Sequence, residues 1–218
     1  MKRALLHTCC GPCASACVPR LKEAGYAVTM YFANSNIDTR AEYDRRLAEA
    51  RKLAEAEGVS LVAEEYDHGE WLRKVAAGPE DDPEKGARCE RCYRYNLAKT
   101  AAYLDAHGGD VFCTSLTVSP HKPSVKIFAS SEDARFLKED FKKREGFKLS
   151  VRRAAELGLD FCKEKCHDKG AGFLELIAEL GVSAEECLYI GDDVIDARPM
   201  AMAGVAVVVN DGEDILDK

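Results

Sequence analysis

Short apolar runs alternate with helical patterns along most of this chain. In the first half, four runs predict strands at Arg3–Thr8, Tyr26–Phe32, Ser60–Ala63 and Val111–Thr114. The segments around them predict helices at Ala14–Gly25, Arg40–Glu57 (with Thr39 as its N-cap), Glu70–Ala77 and Cys89–His107. Strands that alternate with helices form a parallel sheet with crossover helices, so we predict an α/β fold. Ligands of such sheets bind at the carboxyl ends of the strands.

A second, shorter alternation follows near the end of the sequence. Its predicted elements are a helix at Phe173–Leu180, a strand at Cys187–Gly191, a short helix at Arg198–Ala203 and a strand at Val205–Val209. This pattern predicts a small additional α/β segment after the first sheet.

The chain contains ten cysteines, although a chain of this composition does not need disulfides for stability. Its 218 residues are 46% hydrophobic, which is enough for a sizeable core. The apolar runs are too short for a membrane span or a secretory signal, so we expect a cytoplasmic protein without membrane contact. Clustered cysteines in a reducing compartment indicate metal or redox chemistry. The net charge of −7 argues against nucleic-acid binding over the whole surface, but not against a local basic face.

Six of the cysteines fall into two clusters. These are Cys9, Cys10, Cys13 and Cys17, directly after the first predicted strand, and Cys89 and Cys92, at the start of a predicted helix. Two ligands from each cluster would supply four thiolates at one end of the parallel sheet.

The adjacent pair Cys9 and Cys10 bears on the kind of metal centre. A structural zinc needs four thiolates around one atom, which adjacent cysteines reach with difficulty. A cubane has four separate iron corners, so the spacing favours a [4Fe–4S] cluster. Two alternatives stay open. One is an RNA-binding protein stabilised by zinc and without chemistry. The other is a thioredoxin-like thiol exchanger, because the tetrapeptide Cys10–Cys13 is Cys-Gly-Pro-Cys.

Several motifs in combination resemble the QueH-type epoxyqueuosine reductases over about residues 3–158. The motifs are His7–Cys13, Tyr31–Ile37, Pro83–Tyr93 and Thr114–Lys122. The resemblance implies a HUP-like α/β fold (similar to the adenine-nucleotide alpha-hydrolases). It implies reduction of the epoxide of epoxyqueuosine at the wobble position of the tRNA anticodon, the last step of queuosine synthesis. The partners would be this tRNA and an electron donor that the sequence does not identify.

The same resemblance implies the cofactors. A [4Fe–4S] cluster would be held by Cys9, Cys10, Cys89 and Cys92. A second iron near the cluster is also implied, and Cys13 is placed to provide a ligand to it.

After Leu159 the sequence departs from that family, whose members end in a Cys-Gly-Cys that is taken as a redox pair. No Cys-x-Cys occurs in this chain, and Cys162 and Cys166 are the candidates to replace the pair as catalytic thiols. Residues 160–170 and 189–196 instead resemble the C-terminal half of a haloacid-dehalogenase-type phosphatase, similar to the KDO 8-phosphate phosphatases. We therefore expect a reductase domain at 1–158 and a truncated haloacid-dehalogenase-like segment at 159–218.

The phosphatase resemblance implies Mg²⁺ at an acidic turn formed by Asp192, Asp193 and Asp196, with Lys169 steadying a phosphoryl group. A plain solvated turn is the alternative. The Asp-x-Asp-Gly motif that would carry the nucleophile is absent from the sequence, so we expect no phosphatase activity from this segment.

A basic run extends from Arg135 to Arg153. It has eight basic and three acidic residues, hence a local charge of +5, with Phe136, Phe141 and Phe147 interleaved. We predict that its cations contact tRNA phosphates and that its aromatic rings are available to stack on bases, with a solvated amphipathic helix as the alternative. His121 and Lys122 lie in the loop after the fourth predicted strand and are candidates for a substrate or cofactor role.

Overall fold

The computed structural model of the protein describes residues 1–76, 86–159, 168–191 and 193–208. The chain divides into two compact units, residues 1–161 and residues 162–218, and each is described here by itself. Over the part of the chain that is described, no helix is both long enough and apolar enough to cross a membrane.

Parallel strands form the sheet of the first unit. They are β1 (Lys2–His7), β2 (Tyr26–Phe32), β3 (Ser60–Ala63) and β4 (Val111–Thr114). Their order in the sheet is β3-β2-β1-β4, and Leu6 in β1 pairs with Met30 on one side and Cys113 on the other. The chain therefore builds outward from β1 in one direction and then returns to its other side. This reversal makes the boundary between β1 and β4 the switch point of the sheet.

The helices of the first unit are α1 (Gly11–Ala14), α2 (Cys17–Glu23), α3 (Arg40–Glu57), α4 (His68–Trp71), α5 (Ala87–His107), α6 (Ser124–Phe128) and α7 (Gly146–Glu156). A π-helical turn at Leu72–Ala76 continues α4, and a 3₁₀ turn at Ser115–Val118 follows β4. The predicted N-cap of α3 is confirmed, because the Thr39 hydroxyl accepts a hydrogen bond from the N–H of Glu42 at 3.2 Å.

Two predicted helices differ from the structure. The helix predicted at Ala14–Gly25 is two helices, since α1 ends at Ala14 and α2 begins at Cys17. The Ser15 hydroxyl lies at this break and contacts two carbonyls, those of Pro12 and Ser150. The helix predicted at Glu70–Ala77 begins earlier, because the Asp67 side chain caps α4 through the N–H of Glu70 at 2.7 Å.

Helices cover both faces of this sheet, as parallel sheets require. On one face Leu6, Met30 and Phe32 pack with Leu53 of α3. On the other face Leu5 and Tyr31 pack with Leu97 of α5. Alternating residues of β1 thus enter two separate clusters, and the strand is buried from Ala4 onward.

Two of the three phenylalanines of the basic run at 135–153 are not available to bases, contrary to the prediction. Phe136 and Phe141 are 6% and 1% exposed and belong to the core, so they cannot stack on bases. Arg135 pairs with Asp105 and Asp133, and Arg153 pairs with Glu57. Part of the run is therefore structural. The exposed cations of the run are Lys138, Lys143, Arg144, Lys148 and Arg152.

The second unit contains a parallel strand pair with helices beside it. Its elements are α8 (Lys169–Leu180), β5 (Leu188–Gly191), α9 (Ala197–Met202) and β6 (Val205–Val208). Leu188 pairs with Val205, and Ile190 pairs with Val207. The predicted strand–helix alternation of this segment is confirmed: α8 begins four residues earlier than predicted, and the other bounds lie within one residue of the prediction.

Candidate metal centre

The first cysteines lie in the tight turn that joins β1 to α1. Cys10 is the N-cap of α1, where its Sγ accepts a hydrogen bond from the N–H of Cys13 at 3.4 Å. Pro12 is the second residue of the helix and lies in its first turn, where the fixed φ of proline is favourable. A Cβ placed on Gly11 would lie 2.6 Å from the backbone oxygen of Glu49 in α3. The turn therefore packs directly against the backbone of α3, and only glycine fits at this position.

Three thiols converge at this turn. The Sγ atoms of Cys9, Cys10 and Cys13 lie within 4.8 Å of one another, and each side chain is partly buried. Within the described ranges, no other set of three histidine, cysteine or acidic side chains is grouped this closely. Thiolates at such distances form a ligand set for zinc or for iron.

The three thiols differ in acidity. Hydrogen bonds from Cys10 and Cys13 hold the pKa of the Cys9 thiol well below its usual range, helped by the charge of Lys122 and the hydroxyl of Ser115. The same contacts raise the pKa of Cys13, and its burial adds to that effect. Cys9 is therefore the most acidic thiol of the group, and the thiolate is the form of cysteine that binds metals.

Ser115 places this turn at the switch point of the sheet. Its hydroxyl donates to Cys9 Sγ at 3.3 Å and accepts from the Cys9 N–H at 3.0 Å. One residue earlier, Thr114 Oγ1 lies 2.9 Å from Nδ1 of His7. These contacts join the ends of β1 and β4, where ligands of open α/β sheets bind.

Cys89 and Cys92 lie in the first two turns of α5, and both are partly buried. Cys89 and Cys9 pack against the same hydrophobic cluster, and the charge of Lys122 lowers the pKa of Cys92 as well as that of Cys9. The net pKa of Cys92 is nevertheless raised, chiefly by burial. Of the four predicted cluster ligands, Cys9 and Cys10 are in mutual contact, whereas Cys89 and Cys92 stand outside the 4.8 Å group.

Buried polar atoms without hydrogen-bond partners surround these cysteines. Within the described residues they are His7 Nε2, Trp71 Nε1 and Asn96 Oδ1. Burial lowers the pKa of His7, against smaller opposing effects of Cys9 and of the Ala33 carbonyl. Asn96 Nδ2 donates to Cys92 Sγ at 3.8 Å. Among these atoms the indole N–H of Trp71 is a donor, whereas the Asn96 oxygen is an acceptor. An unpartnered buried donor is costly in a protein interior, and beside thiols it suits a bound anionic centre.

Comparison with known families identifies the family of this chain. Residues 4–164 match the family described as epoxyqueuosine reductase QueH. This chain belongs to that family. The match contains β1 to β4 and all of the cysteines of the two sequence clusters.

Curated QueH proteins are similar to this chain over most of the same region. The Streptococcus pyogenes serotype M1 protein named epoxyqueuosine reductase QueH is 35% identical over 164 residues, which cover 70% of this chain and 64% of that protein. The Histophilus somni protein of the same name is 36% identical over 123 residues, 56% of this chain and 50% of that protein. The Dehalococcoides mccartyi protein of the same name is 34% identical over 147 residues, 64% of this chain and 78% of that protein. The chain thus spans less than two thirds of the first two QueH relatives.

A second family match covers the end of the chain. Residues 114–218 match the family described as haloacid dehalogenase-like hydrolase. This agrees with the predicted resemblance of the C-terminal segment. The match begins at 114, earlier than the expected boundary at 159, so residues 114–164 belong to both matches.

One carboxylate of the predicted Mg²⁺ turn already has hydrogen-bond partners in the protein. Asp196 is 2% exposed, and its Oδ1 accepts from Lys169 Nζ at 2.7 Å and from the Tyr189 hydroxyl at 2.8 Å. Asp193 is exposed, and its N–H donates to Asp196 at 3.2 Å. Three predicted site residues lie outside the described residues, namely Cys162, Cys166 and Asp192.

Three residues at the QueH site received no role from the sequence motifs. Ser115, Trp71 and Asn96 contact or approach the cysteines, but none is a metal ligand type with a recognisable spacing. Trp71 does carry one signal, since it is the single tryptophan of the chain. Of the two loop candidates, Lys122 acts on the cysteines through its charge, and His121 is exposed.

Proposed function

We propose that this protein is an iron–sulfur oxidoreductase that reduces the epoxide of epoxyqueuosine in tRNA to queuosine. The observation that carries the proposal is the convergence of Cys9, Cys10 and Cys13 at the switch point of a sheet in a chain of the QueH family. The names of its curated relatives support the reaction. Reduction of an epoxide to the corresponding alkene consumes two electrons and two protons and releases the oxygen as water.

The residues that would hold the cofactor are Cys9, Cys10, Cys89 and Cys92 for a [4Fe–4S] cluster, with Cys13 as a ligand to a second iron. Such a cluster supplies electrons one at a time from an external donor. The donor set is suited to it, because Cys9 has an acidic thiol and adjacent cysteines can approach different iron corners. Ser115 orients Cys9 through two hydrogen bonds, and Lys122 offsets the negative charge of the thiolates.

For the tRNA we propose contacts with the exposed cations of the basic run. Lys143 and Arg144 lie in the exposed turn before α7, and phosphate contacts position a nucleic acid without reading its sequence. The buried Phe136 and Phe141 have no part in this proposal.

For the C-terminal segment we propose a domain boundary near residue 158 and no phosphatase chemistry. Lys169 and Tyr189 already donate hydrogen bonds to the carboxylate of Asp196, and the sequence has no aspartyl nucleophile motif. Mg²⁺ binding near Asp192, Asp193 and Asp196 would then be weak. Mg²⁺-dependent hydrolysis of a phosphate ester that is lost in Asp196→Ala would contradict this part of the proposal.

We also propose that Cys162 and Cys166 take the place of the missing Cys-Gly-Cys pair. A double serine variant should then retain its iron and lose epoxide reduction. Full turnover in that variant would remove both cysteines from the reaction.

The main test is direct. Protein reconstituted anaerobically with iron and sulfide is incubated with tRNA that contains epoxyqueuosine and a chemical reductant, and nucleosides are analysed by mass spectrometry. Queuosine should appear with wild type and be absent with Cys9→Ser. Bound zinc without labile sulfide would favour the RNA-binding alternative, and insulin reduction without any metal would favour the thiol exchanger.

A further inference from the structure

Trp71 presents a buried hydrogen-bond donor that the fold leaves unused. Its indole Nε1 has no hydrogen-bond partner within the described residues, although the atom is inaccessible to water. One face of the ring is stacked on His68, with 5.5 Å between ring centroids and 18° between planes. A buried N–H without a full hydrogen bond costs about 1–3 kcal/mol, so this donor would be stabilised by a stronger acceptor beside it.

The chemical group next to this donor is the thiol of Cys92. The indole N–H lies close enough to lower the pKa of Cys92, against the larger opposing effect of burial. Asn96, one helical turn further along α5, directs Nδ2 to the same sulfur at 3.8 Å. A neutral thiol is a weak acceptor, whereas a thiolate or a metal-bound sulfur is a strong one.

The position of Trp71 is fixed by its neighbour in the sequence. Glu70 accepts hydrogen bonds from the Tyr95 hydroxyl at 2.6 Å and pairs with Lys99 at 3.1 Å. Tyr95 and Lys99 both lie on α5, the helix that carries Cys92. These contacts tie α4 to α5 and hold the indole near the cysteine. The site is thus arranged before any metal binds.

We propose that Trp71 is a positioning residue that donates its indole N–H to the sulfur of Cys92 in the metal-loaded protein and thereby raises the reduction potential of the centre. Hydrogen bonds to cluster sulfurs stabilise the reduced form, because that form carries the extra negative charge. The inference rests on the proposed function, since it requires Cys92 to be a ligand of the iron–sulfur centre.

Because the chain has one tryptophan, the N–H can be removed without changing any other side chain. Growth of a tryptophan auxotroph on β-(benzothiophen-3-yl)alanine replaces the indole N–H by sulfur and keeps the size of the ring. The midpoint potential of the reconstituted centre is then compared with that of the ordinary protein at equal iron and sulfide content. We expect a more negative potential for the analogue, and a Trp71→Phe variant should shift it in the same direction.

A second measurement uses the unaltered protein. The emission of Trp71 should be strongly quenched when iron and sulfide are loaded, because iron–sulfur centres absorb in the emission range of tryptophan. Equal potentials in two proteins that both contain a full cluster would overturn the role of Trp71 alone. Unquenched emission in loaded protein would do the same. Absence of a cluster from the ordinary protein would instead overturn the proposed function, and this inference with it.

Discussion

Both sheets of this protein are parallel, yet they are buried to very different extents. On β1, Leu5 and Leu6 are 4% and 0% exposed, because helices cover both faces of that sheet. On β5, Leu188 and Ile190 are 58% and 60% exposed, and Val205 across the strand pair is 53% exposed. Parallel sheets are normally covered on both sides. The first unit therefore has a complete core, whereas the second presents one apolar face of its strand pair.

The carboxyl ends of the two sheets differ as well. At the end of β1, the sulfur atoms of Cys9, Cys10 and Cys13 converge, and the last residue of the strand, His7, has an unpartnered Nε2 within the described residues. Beyond β5, Asp196 is already neutralised by Lys169. Strand ends collect functional groups in both units, but the first set is arranged for a bound group and the second is satisfied internally.

The largest contrast should appear in metal content. Cys9→Ser removes the most acidic thiol of the converging group and should lose most of the iron after reconstitution. Cys187→Ser, a matched change at the start of β5, should keep the wild-type content. Iron and labile sulfide analysis gives the answer. Equal loss in both variants would show that the cysteines at β1 have no special part in metal binding.

The second largest contrast should be in the loss of unfolding free energy when a side chain of each unit is truncated. Phe141→Ala empties a site that is 1% exposed in the first core and should cost about 3–5 kcal/mol of unfolding free energy. Ile190→Ala removes a side chain that is 60% exposed and should cost under about 0.5 kcal/mol. Urea denaturation followed by circular dichroism measures both. A large loss in Ile190→Ala would reveal that something covers the apolar face of β5 and β6 in solution.

A smaller effect is expected for tRNA binding. The double change Lys143→Glu and Arg144→Glu should weaken binding and reduce the slope of log K against log salt by about two, since each phosphate contact releases about one counterion. The control is Lys2→Glu with Arg51→Glu, which alters the net charge equally on other exposed positions. Filter binding over a range of salt concentrations is the measurement. Equal slopes in the two double variants would leave the basic run without a tRNA contact.

The smallest predicted effect concerns pH. Contacts with Lys74, Tyr95 and Lys99 lower the pKa of Glu70 to about 2. The folded pKa lies below the unfolded value of about 4.3, so this stabilisation is complete above that value and is lost as pH falls toward 2. Trp71 emission in the apo-protein should therefore change within this window, and Glu70→Gln should remove that change. A transition that persists in the variant would assign it to other carboxylates.

Much of this fold follows from local pattern. β2, β3 and β4 have their predicted bounds, because each short apolar run begins one or two residues after a glycine. The α3 helix has a capping Thr39 and a left-handed Gly58, so both of its ends are encoded locally. The break between α1 and α2 is different, because it depends on contacts of Ser15 with distant Ser150.

The site divides in the same way. The spacing of the cysteines and their place at predicted strand and helix ends identified Cys9, Cys10, Cys89 and Cys92 as candidate ligands. Spacing does not reveal which thiol is acidic, because that depends on how the turn directs Cys10 and Cys13 at Cys9, with a smaller contribution from Ser115, which is 106 residues away. The prediction that Phe141 is available to stack on bases was wrong for a similar reason, since the charge pattern does not show that this side chain enters the core.

The central position of β1, which pairs with a strand from much later in the chain, also affects the order of events during translation. The thiols of the first turn leave the ribosome early, but Ser115, which orients Cys9, lies 106 residues later in the chain. At about 5–20 residues per second, this delay is on the order of 5–20 s of translation. During that interval the first thiols have neither α5 nor the end of β4 beside them. Insertion of the proposed metal centre would therefore come late in biogenesis, and the nascent cysteines would be exposed to oxidants until then.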